Sequence, residues 1–226
     1  MRGGASAASA DLRVIHASPD APNVDVYVNN APDGSPAISN LAYTFGTPYI
    51  DLPSADYRFR VTPAGALAPV VIDVTAPIDA NLDYSVVATG FLADIQASVY
   101  IDDNTINPNA ARIRFIHASP DAPTVDIFAV GGPDPLFDAV SFRESGGYIA
   151  VPGGSYDLEV RLDAGGGLAL AVPGLQVQNG YVYTIFALGS VAGNTLSAGV
   201  FVDAVPGPGS AALLACAGLF AARRRR

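Results

Sequence analysis

The stretch Ile15-His16-Ala17-Ser18-Pro19-Asp20-Ala21-Pro22 decides the fold, because it recurs without change later in the chain as Ile116-His117-Ala118-Ser119-Pro120-Asp121-Ala122-Pro123. The pair Val24-Asp25 that follows it recurs as Val125-Asp126. An eight-residue identity followed by a second match at the same spacing indicates an internal duplication.

The correspondence continues to the end of each copy, where Val99-Tyr100-Ile101-Asp102 matches Val200-Phe201-Val202-Asp203. Each copy has the length of one small β-sandwich domain. We therefore predict two tandem domains, residues 12–103 and 112–204, joined by a linker at 104–111. The linker is short, polar and contains a proline, so we expect it to be semi-rigid and the domains to sit end to end.

Short apolar runs between turn residues predict strands. Val24–Val28 and Tyr57–Val61 alternate apolar and polar residues and should be half-buried. Val70–Val74, Tyr84–Ala88 and Val99–Ile101 are β-branched or aromatic throughout, which favours strands covered on both faces.

These patterns predict an all-β fold of two tandem antiparallel immunoglobulin-like β-sandwich domains, each with seven or eight strands. The chain contains 23 Gly and 18 Pro, and no segment of the two copies has helical periodicity. A true immunoglobulin domain is not expected, because the chain has no Trp and its one cysteine, Cys216, has no partner for a disulfide.

The charge of the chain argues against binding to nucleic acid. It has 21 acidic residues, 12 basic residues that are all Arg, and a formal net charge of −9. Such a surface repels phosphate backbones and anionic lipid.

Residues 1–11 are predicted to be a leader or the remnant of a signal peptide. Arg2 stands near the start, and Ala8-Ser9-Ala10 fits the pattern of small residues at a secretory cleavage site, although an apolar region is missing. A disordered leader rich in Ala and Ser is the alternative.

Residues 205–226 combine a proline motif, an apolar run at 210–222, which we expect to be a short helix, and four terminal arginines. A run of this length spans a bilayer only marginally, and the arginines would keep its end in the cytoplasm. The arrangement resembles PEP-CTERM sorting signals, which an exosortase removes; Val-Pro-Gly-Pro stands where that family often has Val-Pro-Glu-Pro. A retained tail anchor is the alternative. The residues of the signal are Val205, Pro206, Pro208, Arg223, Arg224, Arg225 and Arg226.

The His-Ala-Ser-Pro-Asp-Ala-Pro-x-Val-Asp motif, with a following Tyr-Ile-x-x-Pro and a later Tyr-x-x-x-x-x-Gly, resembles the bacterial domain-of-unknown-function 4397 family. The resemblance covers essentially both copies. It implies an exported or surface protein, often with tandem domains, and implies no activity.

We interpret the polar residues of the motif as architecture. The prolines mark a tight turn, Asp20 is placed to close it with backbone N–H bonds, and His16 is placed to brace it. Ser, His and Asp on one strand are too widely spaced to act as a catalytic triad, so a hydrolase using His16 or His117 is our third hypothesis only. The residues of this structural motif are His16, Ser18, Pro19, Asp20, Pro22, Asp25, His117, Ser119, Pro120, Asp121, Pro123 and Asp126.

A metal site is the sharper alternative. Metal ligands are offered within one copy by His16, Asp20 and Asp25, or at the junction by Asp102, Asp103 and Asn104, where Ca²⁺ could bind, although nothing matches an EF-hand loop. Solvated surface carboxylates are the simpler interpretation, so we expect no cofactor.

The sequence therefore predicts a non-enzymatic exported protein of the cell surface or extracellular matrix, with a structural or adhesive role. The expected partners are an exosortase-type sorting enzyme, during transient insertion of the tail into the inner membrane, and exopolysaccharide or other envelope proteins. The second hypothesis is an exported binding module for a small ligand or Ca²⁺.

Overall fold

The computed structural model describes residues 8–29, 35–163 and 166–206. The first repeat contains β1 (Ser9–His16), β2 (Val24–Val28), β3 (Ile38–Leu41), β4 (Ile50–Pro53), β5 (Ala55–Pro63), β6 (Ile72–Ile78), β7 (Asp83–Thr89) and β8 (Gln96–Asp102), with one 3-10 turn at Leu92–Asp94. The second repeat contains β9 (Ala111–His117), β10 (Val125–Ala129), β11 (Phe137–Val140), β12 (Ser145–Val151), β13 (Gly154–Leu162), β14 (Leu168–Val177), β15 (Val182–Leu188) and β16 (Ser197–Ala204). The prediction of an all-β fold is confirmed.

Each repeat forms two four-stranded sheets. The sheets that we call inner have the orders β4-β1-β7-β8 and β12-β9-β15-β16, and the outer sheets have the orders β3-β2-β5-β6 and β11-β10-β13-β14. The predicted antiparallel arrangement is wrong at one place in each inner sheet, because β1 runs parallel to β7 and β9 runs parallel to β15. All other strand pairs in the described residues are antiparallel.

An apolar core fills the space between the two sheets of each repeat. In the first repeat it includes Leu12 and Val14 from β1, Val26 from β2 and Phe59 from β5. At the edge of each core a tyrosine hydroxyl donates to a proline carbonyl oxygen. The pairs are Tyr57 with Pro53 and Tyr156 with Pro152. Burial of this apolar surface is the main force that stabilises each repeat.

The burial of individual strands confirms one of the predictions for covered strands and corrects the other two. β7 is buried on both faces, as the run Tyr84–Ala88 predicted. β8 is not: Val99 is 51% exposed and Ile101 is 61% exposed. The reason is that β8 is an edge strand of its sheet. The run Val70–Val74 is also wrongly predicted, because both of its terminal valines are exposed.

The expectation that the repeats sit end to end is wrong, because the two inner sheets face each other. Ile15 and Val87 of the first repeat join Ile116 and Phe186 of the second in one buried cluster. We call this cluster the inter-repeat core; its members are Ile15, Ala17, Val87, Ile116, Ala118, Phe186 and Leu188. The molecule is therefore a stack of four sheets in the order outer, inner, inner, outer.

The start of the first repeat lies earlier than predicted. Ser9 pairs with Pro53, and Ala10 is 3% exposed within the core. The small-residue pattern Ala8-Ser9-Ala10 therefore reaches into β1. Residues 207–226, with Pro208, the expected apolar helix and the terminal arginines, lie outside the described residues. No helix long and apolar enough to cross a bilayer is found in the described ranges.

Candidate functional site

The histidine turn, residues 16–22, connects β1 to β2 and holds the first copy of the motif. His16 ends β1 and is fully buried. Its Nε2 lies 3.0 Å from the carbonyl oxygen of Pro22, and its Nδ1 accepts the backbone N–H of Ser18 at 3.3 Å. Since a carbonyl oxygen can only accept, Nε2 must carry the proton, and the ring is neutral.

The second copy, residues 117–123, has the same geometry. The two ring nitrogens of His117 lie 3.0 Å from the carbonyl oxygen of Pro123 and 3.3 Å from the backbone N of Ser119. An aromatic ring packs edge-on against each histidine, Tyr43 in the first repeat and Phe142 in the second. Burial lowers the pKa of both histidines from the ordinary value of 6.5. Each histidine therefore braces its turn in the neutral form.

The serines of the motif do not pair with the histidines through their hydroxyls. The bond to each ring nitrogen comes from the serine backbone, and the buried Oγ atoms of Ser18 and Ser119 have no hydrogen-bond partner among the described residues. Nucleophilic catalysis by serine needs a hydroxyl bonded to a basic nitrogen. The described geometry does not provide that pair in either repeat.

The first aspartate of the motif accepts hydrogen bonds from the loop that follows β7 in the first repeat and β15 in the second. Asp20 accepts the backbone N–H of Leu92 at 2.7 Å, after β7. Asp121 accepts the backbone N–H groups of Val191 and Ala192, both at 2.8 Å, and the Ser190 hydroxyl at 2.7 Å. Asp20 thus accepts a backbone N–H, but the donor lies in a loop distant in sequence and not in the turn that Asp20 was expected to close. This bond ties the histidine turn to the end of β7.

The second aspartate braces the outer sheet. Asp25 accepts backbone N–H groups of Asn40 at 2.7 Å and Gly65 at 2.8 Å, and Asp126 accepts that of Ala139 at 2.8 Å. Asn40 and Ala139 both have positive φ, 54° and 49°. The carboxylates therefore hold turns whose backbone conformation is unfavourable for most side chains.

The junction residues proposed as calcium ligands do not converge. Asp103 pairs with Arg112 at 2.6 Å, which holds the pKa of that carboxyl well below its usual range, and Asn104 donates to Asp83 at 2.6 Å. Asp102 points into the space between the repeats and bonds Arg114. Within residues 8–29, 35–163 and 166–206, no group of three or more His, Cys, Asp or Glu side chains could hold a metal ion.

Two buried ion pairs cross from one repeat to the other. Arg13 of β1 donates to Asp203 of β16 at 2.7 Å, and Arg114 of β9 donates to Asp102 of β8 at 2.6 Å. Both arginine side chains are 3% exposed or less, and both aspartate side chains are fully buried. The two pairs are equivalent, because each joins the first central strand of one inner sheet to the last strand of the other.

Each buried aspartate receives two further hydrogen bonds from its own repeat. Asp102 accepts from the hydroxyls of Tyr49 and Ser85, both at 2.6 Å. Asp203 accepts from Tyr148 at 3.2 Å and from Thr184 at 2.5 Å. These donors compensate for the loss of water around each carboxylate, which makes burial of the charges tolerable.

The arginines also lie over aromatic rings, Arg13 at 4.8 Å from the Tyr49 centroid and Arg114 at 4.6 Å from that of Tyr148. Burial alone would lower the pKa of Arg13, but Asp203, Tyr49 and Asp102 together outweigh it and raise that pKa above the ordinary value. Burial raises the pKa of both tyrosines, so their hydroxyls stay protonated and donate. Arg13 is therefore charged at every physiological pH.

Sequence reasoning missed this cluster, although it carried one signal. Arg13 and Arg114 each stand between two apolar residues in the middle of a strand, a position where an unpaired charge is unfavourable. The duplicated aspartate that closes each copy was the missing partner. Their pairing could not be read without knowing that the inner sheets meet.

Comparisons with known proteins show the family of the chain and no particular activity or ligand. No curated protein matches the sequence. Among solved structures, a family 26 carbohydrate-binding module from Eubacterium rectale, in complex with maltoheptaose, is 12% identical with a TM-score of 0.29. A candidate cell adhesion protein from Bacteroides fragilis is 10% identical with a TM-score of 0.22. Each likeness covers 87% of this chain and 98% of the other. Scores this low carry no argument about fold or function.

The family is shown by its sequence model. The model described as "Domain of unknown function (DUF4397)" matches residues 10–128 and 111–216, which together include both copies of the motif. The resemblance found in the sequence is thereby confirmed. The chain belongs to the DUF4397 family and carries its domain twice.

Proposed function

We propose that this protein is a non-enzymatic component of the cell surface or extracellular matrix, with a structural or adhesive role. The observation that carries the proposal is the use of the family motif. His16, Asp20 and Asp25 form hydrogen bonds within the protein, and their equivalents in the second repeat form bonds of the same kind. A signature used twice for the same bracing is typical of architecture.

The state of the histidines supports a non-catalytic role. A general base needs a ring nitrogen that can reach substrate. Both nitrogens of His16 and of His117 are bonded within the protein, and both rings are fully buried. A hydrolase built on either histidine would first have to dismantle the turn.

The composition of the C-terminal segment supports export. We propose that residues 205–226 act as a PEP-CTERM-like signal, with Val205-Pro206-Gly207-Pro208 as the recognised motif, and that an exosortase-type enzyme removes the tail after transient membrane insertion. The strongly acidic body suits an exterior location. Exopolysaccharide or other envelope proteins are the proposed partners, and we assign each repeat to the immunoglobulin-like sandwiches.

Fractionation of the native cells, with intact-mass analysis of the mature protein, tests this proposal. We expect recovery from the envelope or medium, with a mass showing loss of the arginine tail. Recovery from the cytosol with Arg226 still attached would overturn the exported assignment.

The alternative, a binding module for Ca²⁺ at Asp102, Asp103 and Asn104, has its own test. A calcium site at the junction would raise the melting temperature in millimolar Ca²⁺ relative to EDTA. Our proposal predicts equal melting temperatures, because Asp103 already pairs with Arg112 and Asp102 with Arg114.

A further inference from the structure

The contact between the two inner sheets is isologous, meaning that each repeat presents the same set of groups to the other. Arg13 meets Asp203 just as Arg114 meets Asp102. The supporting hydroxyls correspond as well, Tyr49 to Tyr148 and Ser85 to Thr184. This reciprocity is the property of a twofold interface between two separate subunits.

The centre of the contact is dry and closely packed. All seven members of the inter-repeat core are at most 1% exposed, and Phe186 packs edge-on against Phe201 at 5.4 Å. Aromatic and aliphatic anchors surrounded by charged pairs are typical of a specific protein interface. The inner face of each repeat is thus a recognition surface.

The two faces are matched in chemistry but not in size. Val87 in the first repeat stands at the position of Phe186 in the second, and Thr89 stands at the position of Leu188. Two second-repeat faces would bring two sets of large side chains together, and two first-repeat faces would leave space. The packing therefore favours a pair with one repeat of each kind.

The rim adds a contact that only the mixed pair can make. Arg143 of the second repeat donates to the hydroxyl of Thr89 at 3.0 Å and to the carbonyl oxygen of Asp94 at 3.2 Å, while Tyr100 donates to the carbonyl oxygen of Arg143 at 3.0 Å. Thr44 occupies the equivalent turn position in the first repeat, and both residues have positive φ. A threonine cannot form the guanidinium contacts.

The connector contributes little to this contact. The ion pair that flanks this connector (residues 104–111), Asp103 with Arg112, has an aspartate side chain that is 53% exposed. Exposed pairs of this kind stabilise weakly. The fully buried ion pairs and the inter-repeat core lie on the sheets themselves.

We propose that the inner sheet of each repeat is a docking surface for the inner sheet of the opposite repeat, and that it joins repeats without the connector. Its partner is a second copy of this chain. The second repeat of one molecule can bind the first repeat of another, in place of that molecule's own second repeat. The inference rests on the interface alone and holds whether or not the proposed surface role does.

A cleavable connector tests this inference. A protease recognition sequence is inserted between Ile106 and Asn107, the full chain is purified and cut, and circular dichroism checks that the strands persist. We expect both fragments to elute together from gel filtration at micromolar concentration with the mass of the uncut chain. Fragments that remain folded but elute separately would overturn the inference.

Exchange between molecules tests the partner. Cut chains labelled with ¹⁵N are mixed with unlabelled cut chains and followed by native mass spectrometry. We expect mixed pairs of one labelled and one unlabelled fragment, always one repeat of each kind. Pairs that never mix, or pairs of two identical repeats, would contradict the proposal.

Matched variants identify the groups responsible. Arg13→Met in the cut chain removes one crossing ion pair and should raise the dissociation constant at least tenfold, as measured by dilution on gel filtration. Arg58→Met, which removes an exposed ion pair with Asp73 on the outer sheet, is the control and should leave it unchanged. Equal effects of the two variants would show that the buried pairs do not hold the surface together.

Discussion

At the scale of single residues, the fold depends on polar side chains that are buried in one defined protonation state. His16 and His117 are neutral because one ring nitrogen faces a carbonyl oxygen and the other faces a backbone N–H. Protonation of Nδ1 would place two donors against each other. The residues that identify the family therefore also limit the pH range in which the fold is stable.

The first prediction concerns that pH range. Burial lowers the pKa of both histidines below 6.5, so the unfolded chain binds protons near pH 6.5 while the folded chain does not. Above pH 6.5 the free energy of unfolding should therefore be at its full value. As the pH is lowered through 6.5 and below, it should fall, because the unfolded chain takes up the protons first. Urea unfolding at a series of pH values between neutral and mildly acidic measures this slope.

The double variant His16→Gln with His117→Gln is the control for that slope. Glutamine can donate to the proline carbonyl but does not titrate. It should lower the free energy of unfolding at neutral pH by about 1–3 kcal/mol for each site, because the Ser18 and Ser119 N–H groups lose their acceptor. Its stability should also change less with pH near 6.5. A variant that keeps the slope of the natural protein would show that other groups cause it.

The second prediction concerns the buried ion pairs. Arg114→Met leaves the Asp102 carboxylate buried without a cation, which should lower the free energy of unfolding by about 3–5 kcal/mol. Arg58→Met removes an ion pair of similar geometry on the solvent side of the outer sheet and should have a much smaller effect. Urea unfolding of both variants at one pH compares them. Similar losses of stability would contradict the role given to the crossing pairs.

Residue roles could be predicted from sequence only where the partner is local. Pro19 and Pro22 indicated a turn, and His16 bonds the carbonyl oxygen of Pro22 within it. The partner of Arg13 is 190 residues away, so no spacing rule could indicate it. Such pairs follow from the meeting of two sheets, which is a property of the whole molecule.

At the scale of strands and turns, local patterns predicted the elements better than their surroundings. The alternation in Val24–Val28 and Tyr57–Val61 correctly predicted strands β2 and β5, and β5 is half-buried as expected, but β2 is buried on both faces. The same reasoning failed for β8, because Val99 and Ile101 are typical of a covered strand but lie at a sheet edge. The parallel pairing of β1 with β7 was missed because sequence neighbours suggest only antiparallel hairpins.

The third prediction concerns the turn that follows β15. Gly189 has φ of +89°, and a Cβ there would overlap the carbonyl oxygen of Thr195. Gly189→Ala should therefore destabilise the protein by about 3 kcal/mol or more, since it combines backbone strain with a clash against main-chain atoms.

Gly131→Ala, in the turn between β10 and β11, is the matched control for Gly189→Ala. Gly131 has a similar φ of +83°, but a Cβ there has no neighbour within 4 Å. Gly131→Ala should lower the free energy of unfolding by only about 1–2 kcal/mol, which is the cost of the left-handed conformation for alanine. Thermal unfolding compares the two, and an equal loss would mean that the close approach of Thr195 does not matter.

At the scale of the whole molecule, the two repeats form one body of four stacked sheets. The sequence predicted the number of repeats and their class, because both are written in a local pattern that occurs twice. It did not predict that the repeats pack face to face, since a short polar connector is compatible with either arrangement. Besides Arg13 and Arg114, a sign of it was available in β7, whose run from Tyr84 to Ala88 is apolar enough to be covered on both faces.

This arrangement also explains why charged residues lie in the strands of an otherwise apolar face. Arg13 and Asp102 would be costly on a sheet that met an apolar partner, but each finds its opposite charge across the contact. The same groups would oppose docking of an unrelated apolar surface. Specific recognition between the repeats is thus built into the sheets, and the connector only keeps the partner near.

Small-angle X-ray scattering of the full chain in dilute solution tests this arrangement most directly. A compact chain of 226 residues should give a radius of gyration of about 17 Å and a distance distribution with a single maximum. A radius above about 22 Å with a second maximum, as two domains placed end to end would give, would contradict the face-to-face stack.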